Sequence, residues 1–266
     1  MKFLLTSKGE KTMKKSLSIM ALLVPAFVSA GSLRYEGSST IGKIIDDAKA
    51  TYKNSTFSVD VVSESSGGEQ CALRKACDLG GVAREVEPKI LAQGVVSTLI
   101  AKDAIAAIVH KDNPINGLNT EQLRGIFTGK ITNWSQVGGT DLPIQPYMVK
   151  AASATRDVFA KHVLNGENYG ENVKVATPDA TMVTTVAKEV GAIGQISFSF
   201  FSDFSNVRPL IIDEQQPSVN NPNYSINRPL FMVTNGSPSG EAKAFLDWLL
   251  SHEGQAIVKK RFVGVK

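Results

Sequence analysis

The stretch Gly37-Ser38-Ser39-Thr40, continued by Ile41-Gly42-Lys43-Ile44-Ile45-Asp46-Asp47-Ala48, decides how the rest of the chain reads. A short run, Leu33 to Tyr35, precedes it and predicts a strand. Ile41, Ile44, Ile45, Ala48 and Tyr52 recur at helical spacing and form the apolar face of a helix. Ser38, Ser39 and Thr40 therefore stand where a strand turns into a helix. Free backbone N–H groups and the positive end of the helix dipole point at such a turn. Three hydroxyls add donors of their own, and together these suit an oxyanion. The same residues also suit an ordinary N-cap. This stretch alone leaves both readings open.

The chain repeats the pattern twice. Phe57 to Val62 alternates as a strand and leads into Ser63-Glu64-Ser65-Ser66-Gly67-Gly68, with a helix predicted over 69–76. The glycines would let a ligand approach the backbone closely. Ile144 to Val149 predicts a strand, followed by Lys150-Ala151-Ala152-Ser153-Ala154-Thr155-Arg156-Asp157 and a helix through Leu164. Arg156 falls in the first helical turn, where a cation opposes the dipole. An anion held at that end or a salt bridge elsewhere would each account for it.

Other segments fill in the class. Asp78 to Arg84 predicts a short strand ending in a charge. Val95 to Ile100 and Ala104 to Val109 predict two strands, the second apolar enough to be buried on both faces. Asn119 followed by Gln122 forms a near capping box for a helix over 119–127, and Trp134 beyond it reads as core. A helix over 179–190, strands over 192–199 and 228–234, a loop over 213–223, and helices over 239–250 and 253–261 complete the chain. Alternating strands and helices predict an α/β fold with parallel sheets. Ligands in such folds sit at the carboxyl ends of strands, where helices begin. Three hydroxyl-rich helix starts fit one shared site.

The N-terminus reads as an address. Lys14 and Lys15 precede an apolar run, Leu17 to Val28, that ends in Val28-Ser29-Ala30. A basic start, a short apolar run and a small-x-small end make a signal peptide over 1–30, with Met13 as the expected true start. The run is too short to span a membrane. Of 29 Lys+Arg and 25 Asp+Glu, five lysines and one glutamate lie in 1–30, leaving 24 of each. A neutral mature protein argues against nucleic acid or an electrostatic membrane partner. The 266 residues less 30 leave 236, enough for one large domain or two lobes. Cys71 and Cys77 in an exported chain predict a disulfide. No histidine lies near them, which argues against zinc, and no metal or cofactor is expected.

On these residues the chain resembles the PstS-like phosphate-binding proteins, the extracytoplasmic receptors of phosphate ABC importers. The resemblance runs from Gly37 to the C-terminus. Beside the hydroxyl segments it includes Asp103-Ala104-Ile105-Ala106, His110-Lys111-Asp112-Asn113-Pro114, Glu121-Gln122-Leu123-Arg124, Ile126 through Trp134, Arg228-Pro229-Leu230 and Ser251-His252-Glu253-Gly254-Gln255. It implies a two-lobed periplasmic-binding-protein fold of type II with the ligand cleft between lobes. Lobe I would hold 31–106 and 197–266 and lobe II 107–196, with crossings near Ala104–Val109 and Ala192–Ser199. It implies ligand contacts from Ser38, Ser39 and Thr40, from Ser65, Ser66 and Gly67, and from Ser153, Ala154 and Thr155.

Two departures from the family pattern bear on charge. Many members carry an arginine at the position of Val149, and some carry a proton-accepting aspartate at that of Ala83. Other branches have an arginine where Arg84 stands, so the resemblance passes the cationic role to Arg84, with Arg156 or Lys150 helping. Both family glycines of the third segment are alanines, Ala152 and Ala154; that is tolerable if their φ is ordinary and costly if it is positive. The implied function is periplasmic binding of phosphate, or a related tetrahedral oxyanion, by a monomer that delivers it to an inner-membrane ABC permease. The alternative is a binding-fold protein outside transport. A serine hydrolase is disfavoured: no Gly-x-Ser-x-Gly elbow occurs, and no histidine lies in a loop tied to the serine junctions.

Overall fold

The computed structural model describes residues 31–203, 206–218, 220–221 and 223–266. The expected leader lies outside the described residues. The chain opens with β1 (Gly31–Gly37), whose buried Leu33 and Tyr35 alternate with more exposed neighbours, and turns directly into α1 (Ser39–Ala48). β2 (Ser55–Asp60), α2 (Glu64–Leu73), β3 (Leu79–Val82), α3 (Pro88–Leu91) and β4 (Val95–His110) follow. Next come β5 (Gly117–Leu118), α4 (Thr120–Phe127), β6 (Gln145–Val149), α5 (Ala154–Phe159), β7 (Lys174–Ala176), α6 (Thr181–Val186) and β8 (Ala192–Ser197). β9 (Val207–Pro209), β10 (Ile211–Ile212), β11 (Asn227–Asn235), α7 (Gly240–Leu249) and α8 (His252–Val258) end the order.

β4 is one strand of 16 residues, where two were expected. Lys102 and Asp103 interrupt its apolar pattern but not its ladder. Asp103 faces Arg228 directly on β11, and Lys102 bridges to Val263 on the other edge. The first half of β4 runs antiparallel to β11 up to Ala104. Its second half, Ile105 to His110, is antiparallel to β8 and β9. β4 thereby joins two sheets, β2-β1-β3-β11-β4 and β4-β8-β6-β7. Strands β1, β2 and β3 are mutually parallel, as are β6, β7 and β8. The sheets are therefore mixed and not all-parallel, because β11 in the first and β4 in the second run against their neighbours.

Each half is covered on both faces. Ile41, Ile44 and Ile45 of α1 pack with Phe245, Leu246 and Leu249 of α7 over Leu33 and Tyr35. Ala72 of α2 and Ile90 of α3 cover the opposite face through Val82 and Val233. In the second half Leu123, Ile126, Phe127, Trp134 and Phe159 form one cluster, and Met182, Val183 and Val186 another. The capping box of α4 is present: Gln122 N donates to Asn119 Oδ1 at 2.7 Å and Asn119 N to Gln122 Oε1 at 3.0 Å. Leu210, Ile212, Tyr224 and Ile226 pack with Trp134 and Phe127.

The second hydroxyl segment is not a loop. α2 begins at Glu64, five residues earlier than expected, so Ser65 to Gly68 form its first turns. The glycines serve packing. A Cβ on Gly68 would lie 2.5 Å from the Gly81 carbonyl oxygen and 2.8 Å from its nitrogen, so α2 rests directly on the β3 backbone. A disulfide joins Cys71 to Cys77, with Cα atoms 5.6 Å apart, and ties the end of α2 to the loop entering β3.

Since the atoms opposing Gly68 are backbone, Gly68→Ala is expected to push α2 off the sheet. Overpacking of this kind costs about 1–3 kcal/mol. Denaturant unfolding of both proteins measures it, and an unchanged midpoint would contradict the close-approach role.

Candidate functional site

Arg228 lies on β11 with its side chain 1 % exposed. Its Nε donates to Asp103 Oδ2 at 3.0 Å, and the ion pair closes to 2.9 Å through Nη2. Nη1 donates to Thr155 Oγ1 and Nη2 to Thr40 Oγ1, each at 3.0 Å. Thr40 comes from the first turn of α1 and Thr155 from the first turn of α5, so one guanidinium touches both lobes. Each threonine oxygen accepts from the arginine, which leaves each hydroxyl hydrogen to donate elsewhere. Burial pushes the Asp103 carboxyl up, against the opposing charge of Arg228.

The start of α1 is organised differently from an ordinary cap. Ser38 occupies the N-cap position, yet its side chain makes no capping hydrogen bond. Ser39 N instead donates to Glu64 Oε2 at 3.0 Å. A carboxyl group thus sits where the dipole and amides of α1 favour an anion. Glu64 adopts φ 54°, a left-handed conformation uncommon for a residue with a side chain. That backbone turns its carboxyl toward α1. Glu64 is 2 % exposed, and its Oε1 is buried without a partner, as is Ser39 Oγ.

The other lobe contributes a second buried carboxyl. Asp179, just before α6, is 1 % exposed. Its Oδ2 accepts from Ser153 Oγ at 2.5 Å, while Oδ1 is buried without a partner. Burial, and then the charge of Asp179, push the Glu64 carboxyl up to about 7, against hydrogen bonds from Ser39 and the charge of Lys150. Burial likewise raises Asp179, opposed by Ser153, Arg228 and Lys150. The lobes touch here: Ser66 N donates to Ala152 O at 3.4 Å, and Lys150 Nζ donates to the Val62 carbonyl.

Of the residues expected at the site, the structure brings together Ser38, Ser39, Thr40, Ser66, Ser153, Ala154 and Thr155. Ser153 caps α5 by accepting from Thr155 N at 3.3 Å. Neither Ala152 nor Ala154 has positive φ, so both alanines fit without strain. Ser65 Oγ is engaged within its own lobe, accepting from Ala83 N at 3.0 Å. Gly67 packs inside α2 against Ser63.

The two arginines chosen from the sequence are both engaged by other side chains. Arg84 holds Glu69 through both Nη atoms, at 2.6 and 2.9 Å, with Glu87 and Asp157 each at 3.5 Å. Three carboxylates surround it. Arg156 stacks over the Tyr169 ring, 5.3 Å from its centroid. Sequence reasoning missed the roles of Arg228, Asp103, Glu64 and Asp179. The available signals were an arginine opening the apolar β11 run, an acid heading it off in β4, an acid inside a hydroxyl run, and an acid one residue after Pro178. Among the described residues no group of three or more His, Cys, Asp or Glu could hold a metal ion, and no helix is long and apolar enough to cross a membrane.

Residues 28–253 match the PBP superfamily domain. The phosphate-binding protein PstS of Bacillus subtilis is 30% identical over 235 residues, covering 85% of this chain and 78% of that protein. A Clostridium perfringens protein, assigned to phosphate ABC transport as a substrate-binding protein and crystallised with bound phosphate, superposes with a TM-score of 0.82. It is 30% identical and covers 89% of this chain and 100% of its own. An ABC-type phosphate transport receptor from Vibrio cholerae shares the two-lobed fold at TM-score 0.71 and 23% identity, covering 88% of this chain and 100% of its own. With the family model matched along most of its length and a relative of this kind 30% identical over most of its own, the chain belongs to the PBP superfamily and, within it, to the family of PstS phosphate-binding proteins.

Proposed function

We propose that this protein binds phosphate, or a related tetrahedral oxyanion, in the closed cleft between its lobes and hands it to an ABC import permease. The observation that carries this reading is the Arg228 guanidinium gripping Thr40 and Thr155 from opposite lobes, with both hydroxyl hydrogens left to donate. Ser39 Oγ, buried without a partner, and the start of α1 supply further donors. Preorganised donors and dipoles of this kind can hold an anion in a water-poor site without a dedicated free cation. The relatives named for phosphate support the ligand, and their place in ABC transport supports the permease.

The same reading places the protein outside the cytoplasm as a monomer, exported with a signal peptide cut after Ala30. Mass spectrometry of the exported protein is expected to find Gly31 as its first residue, and an uncut N-terminus would refute the processing. Glu64 and Asp179 favour a second reading, a family member with altered ligand that has left transport. Calorimetric titration with phosphate, arsenate and sulfate separates the two, joined to phosphate-limited growth of cells whose own receptor gene is deleted. Binding without rescue of growth supports the second reading.

Ligand-stripped protein is expected to melt higher with phosphate. At 100-fold excess over Kd the gain is about 2.7 kcal/mol, or roughly 5–10 °C for a chain of this size. No shift at millimolar phosphate would count heavily against the proposal.

Arg228 and Arg84 make a sharp comparison. Arg228→Lys removes the fork that serves Asp103 and both threonines, and is expected to weaken phosphate binding by about tenfold or more. Arg84→Ala, which removes a cation already held by carboxylates, is expected to change affinity by less than about fivefold. Calorimetry showing the reverse order would return the cationic role to Arg84.

A further inference from the structure

Glu64 and Asp179 are two buried carboxyl groups, one from each lobe, and each leaves one oxygen without a partner. The pair is close enough that the charge of Asp179 acts on Glu64. Two ionised carboxylates facing an incoming dianion would repel it and each other. Glu64 Oε2 already accepts the Ser39 N–H. A proton on Glu64 therefore belongs on Oε1, where it turns an unpartnered acceptor into a donor. No protein group receives that donor.

The surroundings are mixed in charge. On the side of β1, Tyr35 is buried and its hydroxyl donates to Ser38 O at 2.6 Å; burial and then the charge of Glu64 hold it neutral, well above its ordinary range. From the other lobe Lys150 acts on Glu64 and on Asp179, and Arg228, already paired with Asp103, acts on Asp179. Burial and Asp179 favour the proton on Glu64, while Ser39 and Lys150 oppose it.

We propose that oxyanion binding here is coupled to proton uptake: Glu64, as a neutral carboxylic acid, donates from Oε1 to a ligand oxygen, and Asp179 holds the proton on it. No covalent bond changes; one proton passes from solvent to Glu64 as the anion enters. This deepens the phosphate reading and rests on it. The free Glu64 carboxyl loses its proton as pH rises through about 7. Above that point each bound anion must bring a proton with it, so affinity falls as pH rises.

The experiment is phosphate calorimetry on the mature protein in buffers of differing ionisation enthalpy, from about pH 6 to about pH 8.5. Above about pH 7.5 the parent protein is expected to take up close to one proton per phosphate, with affinity falling about tenfold per pH unit. Glu64→Gln keeps a donor at that place without titrating. It is expected to abolish the proton uptake and flatten the alkaline fall. Asp179→Asn, which removes the charge that holds the proton, is expected to shift the onset of proton uptake and of the alkaline fall to lower pH. Buffer-independent heats in the parent overturn the inference without needing either variant. An alkaline fall that survives Glu64→Gln also overturns it, by placing the proton on the ligand. If the parent binds no phosphate at any pH, the phosphate reading itself fails and takes this inference with it.

Discussion

A buried arginine needs its charge answered, and Arg228 has it answered by the residue directly opposite on the neighbouring strand. Asp103 and Arg228 form a cross-strand pair in the β4–β11 ladder, one residue before β4 exchanges β11 for β8 and β9. The pair thus sits at the seam between the two sheets. Desolvating both ions is expensive, and the arrangement holds because the remaining donors also find partners. Thr40 and Thr155 provide them. Loss of either partner of such a pair typically costs about 3–5 kcal/mol, since the survivor stays buried and unpaired. The positions of α1 and α5, and with them the anion site, depend on this one group.

The charge balance of the cleft follows from that arrangement. Arg228 is neutralised by Asp103 and Arg84 by Glu69, so neither brings an uncompensated positive charge. Attraction for an anion comes from hydroxyl hydrogens, helix-start amides and Lys150 beside them. Val149, where many family members carry arginine, is fully buried among apolar residues and offers nothing polar. Glu64 and Asp179 then tip the empty site toward negative. Where Glu64 is ionised, such a site admits an anion by taking up a proton.

Much of the fold was legible because it rests on local patterns. The apolar spacing of Ile41, Ile44, Ile45 and Ala48, the Asn119–Gln122 capping box and the burial of Trp134 each follow from the chain within a few residues. The joined β4 strand was not legible, because Lys102 and Asp103 read as a break until their partners 125 and more residues away are known. The early start of α2 was masked by Ser65 to Gly68, a run that looks like a loop and is helical because Gly68 must meet Gly81. At the site the hydroxyls were legible as helix starts. The choice between Arg84, Arg156 and Arg228 was not. An arginine's role depends on which carboxylates surround it, and Glu69, Glu87 and Asp157 reach Arg84 through tertiary packing alone.

Polar contacts join the lobes, among them Arg228 to Thr155, Ser66 to Ala152, Lys150 to Val62 and Arg84 to Asp157. Ala154 of α5 also packs in the apolar cluster of the first lobe, and these contacts belong to the closed arrangement. A ligand can favour it only by binding it more tightly than the open one. An anion held by Thr40 and Ser39 on one side and Thr155 on the other does that, because the donors of one lobe are lost on opening. The carboxyl pair works against closure while both groups are ionised and for it once one is neutral. Anion and proton then favour the same closed state, and by linkage each strengthens the binding of the other.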